Sequence, residues 1–304
     1  MYKDIITLSV VNFNAVWGDK ETNLNRIKGY IEAAAKKGSD FIVFPEMSLT
    51  SYDDIASTPK AEKMQTKLAE TIPGPSTDEI EALAKKLGMY VVLGMPERDK
   101  DDESKIYNSL AIFTPEGLYG SYRKMHLPAP EPNWAVRGDE PMLIDTPWGP
   151  IGVAICYDSY CFPEMTRYYV AKGARLYINS TAYAHCHGPS LARTNLEANC
   201  ITNGIFIASA NLCGLDVDNY FWGGSSIMGP ARETWQVHYY TGLPFNEKGA
   251  DQEKMYTETI DLGLATRFLY KYNEAVDGTD FRPDMYIKMY QDILDDPNFG
   301  KAKQ

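Results

Sequence analysis

Seven short apolar runs, at residues 5–13, 41–44, 90–94, 109–113, 151–155, 175–178 and 205–209, constrain this chain more than any other feature. Each is rich in β-branched or aromatic residues and too short for an ordinary buried helix, so each reads as a β-strand. Between them lie stretches with helical periodicity. Leu24, Ile27, Ile31 and Ala34 share one helical face, followed by Lys36, Lys37 and Gly38, where the helix dipole and the C-cap favour cations and glycine. Ser76-Thr-Asp-Glu79 fits a capping box ahead of the stripe Ile80, Leu83, Ala84 and Leu87, with Gly88 as the stop. Further helices are expected over residues 163–172 and 190–202. Strands alternating with helices predict an α/β fold.

No low-complexity linker interrupts this pattern, and the polar stretch 244–254 reads as a surface excursion. The 304 residues are therefore expected to form a single domain, with a core over about 5–265 and a tail over 266–304. That tail has Pro283 near a helix start and then Met285, Ile287, Met289, Tyr290 and Ile293. The set is too apolar for an isolated helix in water and is expected to pack on the body or on a second subunit.

Composition narrows the class. With 44% apolar residues and a mean hydropathy of −0.35, the chain has the profile of a soluble globular protein. No run approaches membrane-spanning length, and residues 5–11 lack the charged lead and cleavage site of a signal peptide, so a cytoplasmic protein without a membrane partner is expected. The net charge of −11 would repel phosphate backbones, which argues against nucleic acid. Five cysteines at irregular spacings, at 156, 161, 186, 200 and 213, point to reduced thiols rather than disulfides.

Two residues stand where apolar runs break into polar sequence, and a third segment delivers a lysine. Cys156 ends Gly152-Val-Ala-Ile-Cys156-Tyr-Asp158, Glu46 ends Phe41-Ile-Val-Phe-Pro-Glu46, and Lys124 ends Tyr119-Gly-Ser-Tyr-Arg-Lys124. Open α/β folds usually place ligands at strand C-termini. A thiol near its ordinary pKa is only a few per cent thiolate at neutral pH and needs a base or a positive charge. Glu46 could serve as that base, and Lys124 could stabilise the oxyanion formed when sulfur adds to a carbonyl. Each residue type also has an ordinary use: a buried cysteine as a small hydrophobe, a glutamate capping a turn, a lysine in solvent.

Taken together, these segments resemble the nitrilase superfamily, the carbon-nitrogen hydrolases. The likeness rests on Phe44-Pro-Glu46 followed by Tyr52, on Tyr122-Arg-Lys124 followed by His126-Leu127, and on Gly152-Val-Ala-Ile-Cys156-Tyr-Asp158 followed by Phe162-Pro-Glu164. It extends through Asn179-Ser-Thr-Ala182 and Ala210-Asn211 to Trp222-Gly-Gly-Ser-Ser226. The resemblance implies a four-layer αββα sandwich that dimerises to αββα-αββα, in a homodimer or higher homo-oligomer. It also implies Cys156 as nucleophile, Glu46 as general base, Lys124 as oxyanion stabiliser and Glu131 as a second glutamate that positions substrate and water. Tyr52, Tyr157, Thr181 and Ala182 are expected to line the substrate pocket. No cofactor or metal is implied.

Two departures from the family pattern bear on the pocket. Ser51-Tyr52 replaces the usual Gly-Tyr, and serine adopts positive φ less readily than glycine. One extra residue falls within Asp158-Ser-Tyr-Cys161. Tyr157-Asp158 after the nucleophile is the pattern of amidases and carbamoylases rather than the Trp-Glu of true nitrilases, so the expected substrate is a small amide or N-carbamoyl (ureido) compound, with a nitrile as the alternative. Two other readings compete: a Cys/His hydrolase using His126, His185, His187 or His238, and a metal-binding module around His185-Cys186-His187.

Overall fold

The apolar runs form the interior of two six-stranded sheets in a computed structural model that describes residues 2–231 and 236–301. In chain order the strands are β1 Ile5–Asn12, β2 Phe41–Val43, β3 Tyr90–Arg98, β4 Ile106–Thr114, β5 Gly117–Arg123, β6 Met142–Ile144 and β7 Ile151–Ile155. They continue as β8 Leu176–Thr181, β9 Phe206–Asn211, β10 Cys213–Leu215, β11 Tyr220–Trp222, β12 Ser226–Pro230, β13 Val237–Gly242 and β14 Lys254–Asp261. The first sheet has the order β14-β1-β2-β3-β4-β5 and the second β13-β12-β9-β8-β7-β6. In each, three central strands run parallel (β1, β2, β3 and β7, β8, β9) and antiparallel strands extend both edges. Parallel neighbours bring the C-terminal ends of β2, β7 and β8 to one side of the molecule.

Helices α1 Lys20–Lys36 and α3 Pro75–Leu87 cover the first sheet, with the short α2 Met64–Leu68 between them in sequence. Helices α4 Tyr157–Cys161, α5 Pro163–Ala171 and α6 Pro189–Asn203 cover the second. The sheets face each other through β1, β2, β9 and β12, which completes the αββα layering. Leu24, Ile27, Ile31 and Ala34 of α1 all turn into the core, as their spacing predicts. The chain divides into two compact units, Met1–Thr266 and Arg267–Gln304. In the second, α7 Pro283–Asp295 starts at the expected proline, and none of its residues is buried. Among the described residues no helix is long and apolar enough to cross a membrane.

Two details differ from the sequence expectation. Helix α3 does not use Ser76 as its cap. It starts at Pro75, whose fixed φ suits the first helical position, and Gly74 is the N-cap, paired with the Thr77 hydroxyl at 2.7 Å. Ser76 instead donates its backbone N–H and its hydroxyl to Glu70 at 2.8 and 2.9 Å. Strand β3 also runs past Gly94 and through Pro96. Proline is tolerated there because the backbone of its partner Asn108 points the other way, accepting Lys124 N–H at 2.8 Å. The missing N–H thus falls on the β2 side, where β2 has already ended at Val43.

Gly94 sets how closely the Glu46 loop can sit on the sheet. A Cβ there would meet Pro45 O at 2.2 Å and Met47 N at 2.6 Å, backbone atoms that cannot step aside without moving Glu46. Gly94→Ala is expected to lower the unfolding free energy by about 2 kcal/mol or more through overpacking. A urea midpoint equal to that of the parent would show that the loop can move aside without cost.

Candidate active site

Each catalytic candidate follows a strand end. Glu46 lies three residues beyond β2, Lys124 directly follows β5, and Cys156 directly follows β7. Glu131 opens a one-turn 3-10 helix, Glu131–Asn133, in the loop after β5. These four side chains come from both sheets, yet they converge in one buried cluster.

The Lys124 ammonium is wholly buried and lies between two carboxylates. Its Nζ is 2.7 Å from Glu46 Oε1 and also donates to Glu131 Oε1. Burial opposes the ammonium charge, but Glu131 and Glu46 outweigh it and hold Lys124 above its ordinary range. Burial also raises Glu131, to about 7, with Lys124 opposing and Glu46 adding to the shift.

Glu46 has a full set of donors: Lys124 Nζ, Asn108 Nδ2 at 2.7 Å, and the backbone N–H of Ala182 to Oε2 at 2.7 Å. A side chain accepting three donors is fixed in position. Tyr52 donates its hydroxyl to Glu131 Oε1 at 2.6 Å.

Cys156 sits in a sharp strand-to-helix turn with φ 47° and ψ −101°, a conformation that costs an L-residue about 1–3 kcal/mol. The turn is held by Cys156 N–H to Ser180 O at 3.0 Å and by Ser159 N–H to Cys156 O at 2.8 Å. The thiol is 8% exposed. Burial and the Glu46 carboxylate push it well above its ordinary range, while Lys124 and a hydrogen bond with the Thr181 hydroxyl pull the other way. Thr181 Oγ1 in turn accepts from Tyr160 OH at 2.9 Å, which accepts from Asn179 Nδ2 at 3.3 Å. Tyr160 belongs to the helical turn α4, which spans the segment where the resemblance implies an extra residue.

The four residues expected to line the pocket have specific contacts. Tyr52 and Thr181 face the cluster through Glu131 and Cys156. Ala182 contributes its backbone N–H to Glu46. Tyr157 turns toward Cys161 and packs edge-on against Phe162 at 5.3 Å. Asn108 and Asp158 are not expected from sequence as site residues, whereas Tyr160, with Tyr52, Tyr157 and Tyr183, hints there at an aromatic pocket. Asn108 had a signal, being a polar residue inside the apolar run of β4.

Asp158 is fully buried and links the turn after Cys156 to the segment after Lys124. It accepts from Tyr122 OH at 2.7 Å, Met125 N at 3.3 Å and His126 N at 2.9 Å, and pairs with His126 Nδ1 at 2.8 Å. The His126 ring stacks on Phe162 at 3.5 Å. The other histidines raised from sequence have aromatic neighbours: His185 lies against Trp222 at 3.6 Å, His187 beside Tyr183 at 5.6 Å and His238 beside Tyr240 at 4.6 Å.

Ser51 does adopt positive φ, at 69°, and its hydroxyl stabilises the turn. Asp216 Oδ2 accepts from Ser51 Oγ at 2.8 Å, Tyr52 N at 3.0 Å and Asp53 N at 2.8 Å. Asp53 in turn accepts the backbone N–H groups of Asp218 and Asn219, at 2.8 and 2.9 Å. The turn that carries Tyr52 is thereby fastened to the β10–β11 hairpin.

Residues 7–264 match the carbon-nitrogen hydrolase family along nearly the whole first unit. The chain is a member of that family. It is similar to the omega-amidase NIT2 of Xenopus tropicalis, 32% identical over 235 residues that cover 73% of this chain and 80% of that protein. It is also similar to human omega-amidase NIT2, 30% identical over 223 residues that cover 69% of this chain and 76% of that protein. The fold matches a solved amidase from Nesterenkonia sp. AN1 in complex with acrylamide, with a TM-score of 0.74, 21% identity and coverage of 93% of this chain and 97% of the other. Membership in the nitrilase superfamily and the αββα architecture thus agree with the expectation from sequence.

In this hydrolase the Asp158 network fixes the Lys124 segment relative to the nucleophile turn. Asp158→Ala would leave the Tyr122 hydroxyl and two amides without their acceptor, so a loss of about 3 kcal/mol in unfolding free energy is expected. Asp158→Asn, which keeps one acceptor oxygen, should lose less. Equal urea midpoints for Asp158→Ala and the parent would contradict this account.

Proposed function

We propose that this hydrolase cleaves the C–N bond of a small amide through an acyl-Cys156 intermediate and releases ammonia. The observation that carries the reading is a buried thiol in the same cluster as an ammonium shared by two carboxylates. Because burial and Glu46 keep the resting thiol protonated, its proton must leave as sulfur attacks, and Glu46 accepts it. The carbonyl oxygen gains negative charge as the C–S bond forms. Lys124 Nζ and the backbone N–H of Tyr157, in the first turn of α4 where amides lack helical acceptors, stabilise it.

Protonated Glu46 then gives its proton to the leaving nitrogen as the C–N bond breaks. In the second half Glu46 takes a proton from water while the oxygen adds to the thioester, and the thiol leaves with that proton as the acid is freed. Glu131, fixed by Tyr52 and Lys124, orients substrate and water. The cycle uses only protein groups and water. The similar proteins of Xenopus tropicalis and human are omega-amidases, which supports an amide as substrate.

Ammonia release across small amides, ω-amides of dicarboxylates, N-carbamoyl compounds and nitriles tests the reading. Amides are expected to lead, and nitrile turnover far above amide turnover would overturn it. Cys156→Ala should lose at least ~10⁴-fold in kcat and Glu46→Gln at least ~10²-fold, the scale for a nucleophile and a general base. Full turnover by correctly folded Cys156→Ala would refute the acyl-enzyme.

The pH profile follows from the buried cluster. Glu131 is raised to about 7, so it takes up a proton as pH falls through that value and the cluster loses a negative charge. kcat/KM should therefore fall on the acid side with a midpoint near 7, one that belongs to the coupled cluster rather than to a single carboxylate. A profile flat down to pH 5 would contradict this.

A further inference from the structure

We propose that Asn108 is a positioning residue of the proton-transfer cluster, its side-chain amide bridging Glu46 and Glu131 so that both carboxylates stay aimed. The inference rests on the function proposed above. Asn108 Nδ2 lies 2.7 Å from Glu46 Oε1 and 3.4 Å from Glu131 Oε2. Its backbone carbonyl accepts the Lys124 N–H at 2.8 Å. One residue therefore touches all three members of the charged cluster.

The use of its side chain separates this role from ordinary packing. Asn108 is buried, and its Oδ1 has no hydrogen-bond partner among the described residues. A structural asparagine in a core normally uses its acceptor as well as its donors. Among the described residues, the hydrogen bonds of this side chain go only to the two carboxylates.

Electrostatics gives the reason for such a donor. Two carboxylates share one ammonium, and without further donors one of them would take up a proton more readily. A second cation would remove that tendency, but it would also lower the basicity that Glu46 needs. A neutral amide supplies hydrogen bonds without adding charge. It also shares the load on Lys124, which has three N–H groups and spends two on Glu46 and Glu131. The third is then free for the substrate oxygen.

The test compares Asn108→Leu and the isosteric Asn108→Asp with the parent. The groups that titrate around position 108 are Glu46, Glu131, Lys124, Tyr52 and Cys156. The first readout is the pH dependence of Cys156 alkylation by iodoacetamide, located by peptide fragmentation mass spectrometry, which requires no substrate. The second is kcat and KM for ammonia release from the best amide.

Loss of the donor disfavours the ionised carboxylates, so more alkaline solution is needed to reach them. The acid limb of both profiles should move up by about one pH unit, and kcat should fall at least ~10-fold while KM changes less than about threefold. If Asn108→Leu does not fold, Asn108→Asp, which fills the same space, carries the comparison. A folded variant whose alkylation profile superposes on that of the parent overturns the proposal, even if its activity drops along with its stability. A parent that hydrolyses no amide, while the variants still shift the alkylation profile, would sink the proposed function and leave the role of Asn108 standing.

Discussion

The Lys124 ammonium, buried between Glu46 and Glu131, is the interaction on which the site depends. Taking three charges out of water costs several kcal/mol per ion, and attraction offsets this only when the remaining donors and acceptors are also satisfied. The surrounding structure meets that condition. Asn108 from β4, the Ala182 amide just past β8 and the Tyr52 hydroxyl each supply a donor. Those groups come from both sheets, so the cluster can be complete only when the sheets are packed in one register. Close approaches such as Pro45 over Gly94 follow from the same requirement.

Much of this was legible in the sequence. The apolar runs identify the central strands, and the breaks at their C-terminal ends locate Glu46, Lys124 and Cys156 because a polar residue following a buried strand has few places to go. What sequence could not give is what each side chain touches. Ala182 looked like a pocket residue and acts through its backbone N–H, which any residue except proline would provide. No apolar run marks β5, β6, β10, β11, β12, β13 or β14: most lie at sheet edges or in the small hairpin, where a half-exposed strand lacks uniform apolar character, and the buried β12 is broken by Ser226, Gly229 and Pro230. Ser51 shows the opposite kind of miss. Its side chain disfavours positive φ, yet the adjacent Asp216 makes that conformation acceptable by accepting the Ser51 hydroxyl and two backbone amides. A partner 165 residues away in sequence leaves no local signal.

The nucleophile illustrates how burial and charge divide the work. A cysteine pre-ionised by a lone lysine would be a stable thiolate, and a thiolate held that way is a poorer nucleophile. Here burial and Glu46 oppose ionisation more strongly than Lys124 and Thr181 promote it. The balance of these influences keeps the proton on sulfur. The turn at Cys156 places the sulfur at the end of its strand, and the strain of φ 47° is held by bonds to Ser180 and Ser159 rather than by the residue itself.

The imbalance of two carboxylates to one ammonium is then the central design feature. With Glu131 the cluster holds two carboxylates to one ammonium, and burial first, then Glu46, raise Glu131 to about 7 against the pull of Lys124. The same excess would repel Glu46 and Glu131 from each other if nothing bridged them, and Asn108 and Lys124 both do so. The geometry of the cluster therefore depends on its donors: Asn108 and Lys124 each reach both carboxylates and keep the two from separating.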